Sequence, residues 1–460
     1  MKKNFKVFKL WILVLFKILT RNKIPLIITF LILAIIFFAQ SKFKFFYNPN
    51  AISVGFIGTY QEYDLPKEVT KLISQGLVKE GMDGRIKGNL VSGWETNNDA
   101  TSFKFKLKDG LKWVDNTPIK SKDLEFVIPN TEITFPDDNT ILFKLKESYS
   151  PLPSLLTRPV IKKGSMLGTG PYKITKIEKS RIFITKIELV SADESLPNIS
   201  IRFYPTEKVA ITGFNLGEVQ ALLGITDPKI FSDNPKVSIK QKVDYSRIVS
   251  ILFNTKDNFL SSRSLRQALS FEAPKFENEQ IANNPYPPYH WAYNPDSKKY
   301  LANPEEAKNA MERAKSSIPD EKIKSELILT ATPNLEGIAG VVVNSWKNLG
   351  LNAKYRIESG IAQNFQALLI TQSIPLDPDQ YFLWHATQTK TNLTKYDSKR
   401  VDKDLEDGRK IIDEEDRKTK YYDFQKILLE DAPAIFLYFP KYNIAYLKKK
   451  ETLLNKILSL

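Results

Sequence analysis

The chain has 460 residues, enough for two or three domains, and its 42% hydrophobic and 26% charged residues exclude a disordered chain. Its net charge is +15, but residues 1–46 hold nine lysines and arginines and no acid, which leaves 58 basic against 52 acidic residues elsewhere. Charge so dispersed does not form the basic face that nucleic-acid binding requires. The absence of cysteine excludes disulfides, thiolate metal sites and a lipid-modified cysteine.

The first predicted element is a membrane anchor within residues 23–46. Residues 24–40 carry no charge and span about 25 Å as a helix, the short end of what crosses a bilayer. The basic residues before this segment place the N-terminus in the cytoplasm and the main body outside the cell membrane, in a single-pass topology. A cleaved signal peptide is the alternative, but no small-x-small cleavage site follows.

Residues 1–22 form a second N-terminal pattern. Five lysines, Lys2, Lys3, Lys6, Lys9 and Lys17, fall on one sector of a helical wheel, and the aromatic and aliphatic residues lie outside it. This pattern is typical of a helix that lies on an anionic membrane surface. A second membrane span over residues 4–20 stays open as the alternative.

From residue 51 onward, short strand patterns alternate with helical ones. Period-two alternation or short apolar runs predict strands, and caps and turns mark the helices. The predicted strands are 103–108, 140–145, 199–203, 251–253 and 352–357, and the predicted helices are 304–315, 338–349 and one long charged stretch over 402–429. These elements predict a mixed α/β body with several lobes and no repeats.

A series of short motifs runs through this body. In chain order they are ISQGL at 73–77, LVSGWE at 90–95, KDGLKW at 108–113, KDLEF at 122–126, GTGPY at 168–172, FNT at 253–255, RQAL at 266–269, PEEAK at 304–308 and EDAP at 430–433. Together they resemble, over about residues 52–447, the family 5 solute-binding proteins, which are the peptide, dipeptide and nickel receptors of ABC importers. Each motif alone is weak, and their shared order carries the resemblance.

The resemblance implies a periplasmic-binding-protein-like α/β fold of type II, with two main lobes, a cleft and a smaller inserted domain behind the N-terminal transmembrane helix. Domain I would comprise residues 51–64, 168–250 and 436–460, domain II residues 65–167, and domain III residues 251–435. A small-molecule or peptide ligand would be enclosed between domains I and III by hinge closure. The ABC permease subunits would then recognise the closed form. We expect a monomer without a cofactor or a metal.

Two departures from the family pattern bear on function. Residues 127–130 lead almost directly into the hairpin at 133–145, so domain II is trimmed. In addition, Ile374 stands where peptide receptors of this family place the acid that pairs with the ligand's ammonium group. Either Asp377 or Asp379 replaces that acid, or the ligand is not a peptide with a free amino terminus. Asp377 is alternatively the cap of a following helix.

The residues expected to line the cleft follow from the same resemblance. Asn254 either faces the cleft or caps a turn, and Arg266 is interpreted as a helix packing residue. The six candidates for ligand binding are Asn254, Tyr286, Trp291, Asp377, Trp384 and Tyr442.

No enzymatic chemistry is indicated by the sequence. The two histidines, His290 and His385, lack metal-ligand spacing, and no nucleophile elbow or phosphate-binding loop is present. The leading interpretation is a membrane-tethered receptor that delivers a small, oligopeptide-like ligand to an ABC permease. A tethered surface sensor or partner-binding protein on the same fold is the main alternative, and an enzyme of the glycosidase type comes third.

Overall fold

The fold is described by a computed structural model over residues 50–460, except for the side chains of residues 320 and 322. The strands in chain order are β1 Ala51–Ile57, β2 Val78–Glu80, β3 Ile86–Gly88, β4 Val91–Thr96, β5 Ser102–Leu107, β6 Thr131–Asp137, β7 Thr140–Leu145, β8 Tyr172–Ser180, β9 Phe183–Ser191, β10 Asn198–Tyr204, β11 Ala221–Ile225, β12 Val237–Val243, β13 Arg247–Phe253, β14 Gln280–Ile281, β15 Glu326–Ala331, β16 Asn352–Ile357, β17 Ala367–Ser373, β18 Ala434–Phe439 and β19 Lys441–Leu447. The α-helices are α1 Lys67–Ile73, α2 Leu152–Leu155, α3 Glu207–Asn215, α4 Arg263–Phe271, α5 Pro304–Lys315, α6 Asp320–Ile323, α7 Glu336–Lys347, α8 Tyr381–Trp384, α9 Lys399–Gly408, α10 Glu414–Asp431 and α11 Glu451–Leu458.

Lobe I (residues 50–73, 172–243 and 441–460) is built on a seven-stranded sheet in the order β12-β19-β11-β1-β10-β9-β8. Strand β1 lies near its centre and runs parallel to both β10 and β11. The alternating residues Ile52, Val54 and Phe56 of β1 share a core with apolar residues of α1 and α11, whereas α3 packs with a separate apolar cluster. The sheet is therefore covered by helices.

Domain II (residues 75–167) has a four-stranded antiparallel sheet in the order β4-β5-β7-β6 and a small β2–β3 ribbon. In β5, Phe103 and Phe105 are buried, whereas Lys104 and Lys106 between them are exposed, as the alternation predicts. The Phe105 ring meets Phe143 edge to face at 5.5 Å between centroids. The β6–β7 hairpin begins four residues after Val127, so the connection that leads into the hairpin is short, as the sequence predicts.

Lobe III (residues 247–439) is built on a six-stranded sheet in the order β14-β18-β13-β17-β15-β16. Strand β13 pairs with both β17 and β18, and every residue from Ile248 to Phe253 is buried. One face of the sheet packs against α4, α5 and α7, and the other packs against α9 and α10. The largely apolar sequence of β13 is typical of a strand that is covered on both faces.

Over residues 50–460, the chain passes between lobe I and lobe III twice, from β12 to β13 and from β18 to β19. The two passages lie side by side, because the amide of Asp244 donates to the carbonyl of Pro440 at 2.8 Å. Two adjacent connections between rigid sheets allow the lobes to rotate about one axis, which is the geometry of a hinge.

Domain II is joined to lobe I much more closely, at the GTGPY segment. A Cβ on Gly168 would lie 2.1 Å from the carbonyl oxygen of Ile73, and one on Gly170 would lie 2.5 Å from that of Leu72. The two glycines thus let the returning chain press against the end of α1. Domain II and lobe I are consequently packed closely together at this junction.

Most predicted elements are confirmed. Strands β7 and β16 and helix α5 have the predicted bounds. The single helix predicted over residues 402–429 is wrong, since the structure has α9 and α10 with a break between them. Asp413 caps α10 by accepting a hydrogen bond from the amide of Asp416 at 3.0 Å, and three acids follow in the first turn.

The predicted domain limits differ somewhat from the divisions that the sheets give. Residues 65–73, assigned to domain II from the sequence, include α1, which packs on the sheet of lobe I. The predicted interfacial helix (residues 1–22) and the transmembrane anchor (residues 23–46) lie outside the described residues. Within residues 50–460, no helix is both long enough and apolar enough to cross a membrane.

Candidate functional site

Lobe I, domain II and lobe III meet at the loop after β17, and two cavities open there. The first, which we call the junction cavity, has a volume of about 340 Å³ and lies between α1, domain II and Leu376 of lobe III. The second, the interlobe cavity, has a volume of about 250 Å³ and lies between domain II and lobe III. Leu376 lines both cavities, so the two form adjoining parts of one cleft between the lobes.

One face of α1 forms a wall of the junction cavity. Lys67, Thr70, Lys71 and Ser74 lie at the spacing i, i+3, i+4 and i+7, which places their side chains on one side of a helix. The opposite face of α1 carries Val69 and Leu72 into the core of lobe I. The amphipathic pattern of this short helix therefore directs two lysines toward the cavity.

The interlobe cavity is lined by aromatic and charged side chains from both sides. Trp94 and Arg85 of domain II face Trp291 and Arg417 of lobe III. The Arg417 guanidinium lies over the Trp291 ring at 5.5 Å. Flat apolar faces with a few polar groups are typical of ligand-binding pockets.

The two carboxylates of the loop after β17 are already paired. Asp377 accepts a hydrogen bond from Arg417 at 2.7 Å and another from the amide of Asp379 at 3.0 Å. Asp379 lies 3.1 Å from Arg409, yet burial raises the pKa of its carboxyl group above the usual value. Asp377 thus stabilises the turn before α8, and both carboxylates have arginine partners before any ligand binds.

Direct contacts join domain II to lobe III across the cleft. Arg85 makes a bidentate ion pair with Glu414, with Nε to carboxylate distances of 2.9 and 3.0 Å and an Nη2 to Oε1 distance of 2.5 Å. The amide of Ser150 donates to the carbonyl of Arg409 at 2.8 Å, and the amide of Trp291 donates to the carbonyl of Asp83 at 3.0 Å. Since no chain connection within residues 50–460 joins domain II directly to lobe III, side-chain and main-chain contacts of this kind link the two parts.

Of the six predicted ligand-binding residues, Trp291 and Asp377 line the interlobe cavity. Tyr286 is buried, and its hydroxyl donates to the carbonyl of Pro378 at 2.6 Å, so it supports the loop from behind. Trp384 is buried in the core of lobe III and donates through Nε1 to Gln380 at 2.7 Å. The structure thus brings two of these four to the cleft wall.

The remaining two predicted residues lie elsewhere. Asn254 stabilises a turn, because its Oδ1 accepts from the amide of Lys256 and its Nδ2 donates to the carbonyl of Phe365, both at 3.2 Å. Tyr442 lies beside the hinge, with the Lys242 ammonium 5.3 Å from its ring centre. Burial and the carboxylate of Glu68 raise the pKa of Tyr442, so it stays protonated.

The other side chains singled out in the sequence have structural partners. Arg266 is buried and donates to the main-chain carbonyls of Leu260, Asp431 and Ala432, which confirms it as a packing residue. His290 stacks on Tyr286 and packs against Gly84 of domain II, and burial lowers its pKa. His385 lies 3.1 Å from Glu406. Within residues 50–460, no group of three or more potential ligands could hold a metal ion.

Several residues of the cleft were not found by sequence reasoning. The pairs Arg85–Glu414 and Arg417–Asp377 join residues that are 329 and 40 positions apart, and no local pattern indicates them. Lys67 and Lys71 could have been recognised from the sequence. They are four residues apart and alternate with the apolar Val69 and Leu72, a pattern that indicates a helix with one charged face.

Comparison with known proteins identifies the class. The sequence profile of bacterial extracellular solute-binding proteins, family 5 (middle region), matches residues 85–393. Because the match spans more than half of the chain, the protein belongs to this family. It is a solute-binding protein and not an enzyme, in agreement with the absence of a catalytic motif in its sequence.

Individual relatives share the fold at low identity. The oligopeptide-binding protein AppA of Bacillus subtilis (strain 168) is 22% identical, over 85% of each chain. The dipeptide-binding protein of Escherichia coli (strain K12) is 21% identical, over 85% of this chain and 86% of its own. Among solved structures, the substrate-binding protein CtaP of Listeria monocytogenes has a TM-score of 0.72 at 19% identity, over 86% of this chain and 94% of its own. NikZ of Campylobacter jejuni, solved with Ni(L-His), has a TM-score of 0.69 at 20% identity, over 87% of this chain and 94% of its own.

Proposed function

We propose that this protein is a membrane-tethered receptor that encloses a small, peptide-like ligand between lobe I and lobe III and delivers it to an ABC permease. The observation that carries the proposal is the meeting of three parts at Leu376, where two cavities adjoin. The moving lobe is joined by two neighbouring strand passages alone, so ligand contacts to both sides of the cleft stabilise the closed arrangement.

The peptide-like nature of the ligand is supported by the relatives and by the shape of the cleft. Several relatives are described as binding oligopeptides, dipeptides or murein peptides, although one is described as a heme-binding protein. The junction cavity of about 340 Å³ is at the lower end of the range of ~300–1,000 Å³ that is typical of small-ligand pockets. A peptide of a few residues would extend from it toward Trp291 in the interlobe cavity.

Tethering to the membrane is proposed from the sequence of residues 1–46, where an uncharged segment follows a basic one. The tether would hold the body outside the cell membrane and keep it near its permease. In such an arrangement each receptor meets its permease by diffusion within the membrane plane, at a high effective concentration.

Titration of the full chain in detergent against a library of di- to pentapeptides tests the proposal, with tryptophan fluorescence as the readout. Trp94 and Trp291 line the interlobe cavity, so a ligand there changes their emission. We expect saturable binding, and the Trp291→Phe variant should lose the share of the signal that comes from Trp291, keep the share from Trp94, and still bind in calorimetry. No binding of any peptide would refute the proposal and favour the tethered sensor or partner-binding protein instead.

A further inference from the structure

Four lysines line two adjoining cavities at the edge of lobe I. Lys67, Lys71 and Lys79 line the junction cavity, and Lys242 lines a small apolar cavity beside it together with Lys71. Among residues 50–460, none of these four ammonium groups forms an ion pair with a carboxylate. Lys87, by contrast, forms an ion pair with Asp83, with 3.3 Å between the ammonium nitrogen and the carboxylate oxygen.

The arrangement is unfavourable for the protein on its own. Lys67 and Lys71 are one helical turn apart on the same face of α1, a spacing at which like charges repel. Partial burial, together with the ammonium groups of Lys67 and Lys242, lowers the pKa of Lys71. An anionic group placed in the cavity would relieve this repulsion, and a cationic group would increase it.

The acids near these lysines do not balance them. Glu80 is the one carboxylate side chain of the described residues that lines the junction cavity, and the hydroxyl of Tyr289 lies 3.4 Å from it. Glu68 lines the adjoining small cavity. Leu460, the last residue, also lines both cavities and adds its main-chain carboxylate. With Asp377 and Asp379 committed to arginines, four ammonium groups face three carboxylates, so this part of the cleft keeps a net positive charge.

We propose that the junction cavity selects acidic peptides, whose side-chain carboxylates are held by Lys67, Lys71 and Lys79. The inference rests on the proposed receptor function and adds the charge class of the ligand to it. Leu376 and the apolar Ile374 at the same end of lobe III offer no carboxylate to a ligand, so the lysines supply the charged contacts. The lysines lie on α1 and on β2, elements packed against well-ordered cores, which positions them before the ligand arrives.

Three matched tetrapeptides test the inference on the full chain in detergent: Ala-Glu-Glu-Ala, Ala-Gln-Gln-Ala and Ala-Lys-Lys-Ala. Calorimetry should give an affinity at least about tenfold higher for the glutamate peptide than for the glutamine peptide, which corresponds to about 1.4 kcal/mol. The lysine peptide should bind more weakly than both. The preference should shrink in 0.5 M salt, because screening weakens partly exposed charge contacts.

Lysine-to-glutamine variants test whether the preference for acidic peptides arises in the junction cavity. The double variant Lys67→Gln/Lys71→Gln should lose about tenfold in affinity for the glutamate peptide and less than about twofold for the glutamine peptide. Lys308→Gln is the matched control, because Lys308 is an exposed and unpaired lysine on α5, far from the cleft in lobe III. Its melting temperature and affinities should equal those of the wild type, and the double variant should melt at least as high because the repulsion on α1 is removed.

The outcomes separate the two proposals. If the glutamate and glutamine peptides bind equally well, the charge class is refuted while the receptor function stands. If Lys308→Gln weakens acidic peptides as much as the double variant does, net charge rather than the junction cavity is responsible, and the inference is also refuted. If no peptide of any charge binds, the receptor function itself fails.

Discussion

The ion pair between Arg85 and Glu414 offers a sharp test of how the cleft closes. These residues belong to domain II and lobe III, which have no direct chain connection, so the pair forms only when the two parts are together. Both side chains are about 40% exposed, at 39% and 40%, and solvent therefore screens the pair. With its bidentate geometry we take it to contribute about 0.6 kcal/mol, the middle of the range measured for exposed pairs, which corresponds to a factor of about three.

Breaking the pair should therefore make the open arrangement more populated and weaken ligand binding about threefold. The variants Arg85→Met and Glu414→Gln and their combination form a double-mutant cycle, read as the dissociation constant of the peptide that binds most tightly. The double variant should be no weaker than either single one, and the reversed pair Arg85→Glu/Glu414→Arg should recover part of the loss. If the losses in binding free energy of the two single variants add up in the double variant, the pair does not couple domain II to lobe III. That result would refute the account of closure.

Three further predictions concern stability, each followed as the thermal melting temperature of the full chain. Arg417→Met should destabilise lobe III by about 1–3 kcal/mol, because it leaves the largely desolvated carboxylate of Asp377, which is 11% exposed, without its partner, whereas an unchanged melting temperature would contradict the pairing. Burial and the carboxylate of Asp423 raise the pKa of Asp404 to about 6, so its charged form is disfavoured in the folded state and stability should rise by about 1 kcal/mol as the pH falls from 7.5 toward 5. Asp404→Asn should be more stable than the wild type at pH 7.5 and should lose this share of the pH dependence; an identical profile would contradict the assignment. Gly168→Ala should destabilise the protein by at least ~1–3 kcal/mol, because its Cβ would meet the Ile73 carbonyl, while the control Gly93→Ala has open space around the new methyl group and should change little.

The sequence predicted those parts of the fold that depend on local patterns. The alternation of Phe103 and Phe105 with lysines located β5, and the helical pattern over residues 304–315 gave the bounds of α5. The order of the motifs indicated the family, and with it the lobes and the cleft. The acid-rich cap at Asp413 was also a local signal, and overlooking it joined two helices into one.

The cleft itself was harder to predict, because its contacts join residues that are distant in the chain. Trp384 and Tyr286 were reasonable aromatic candidates, yet both are buried against lobe III, since a ring serves a core as well as it serves a pocket. The ion pairs of Arg85 and Arg417 depend on how lobes pack, which no short pattern encodes. The charge of the junction cavity and of the small cavity beside it likewise emerges only when α1, β2 and β12 are seen together.

The central claim is that ligand binding closes lobe III onto lobe I and domain II. Since the chain has no cysteine, Lys108→Cys in domain II and Lys390→Cys in lobe III provide a unique pair of exposed sites for spin labels. The distance distribution between them, measured by pulsed electron paramagnetic resonance with and without a saturating bound peptide, tests the claim most directly. The account predicts that the peptide narrows the distribution and shifts it toward a single closed-state distance. An identical distribution with and without the bound peptide would contradict it.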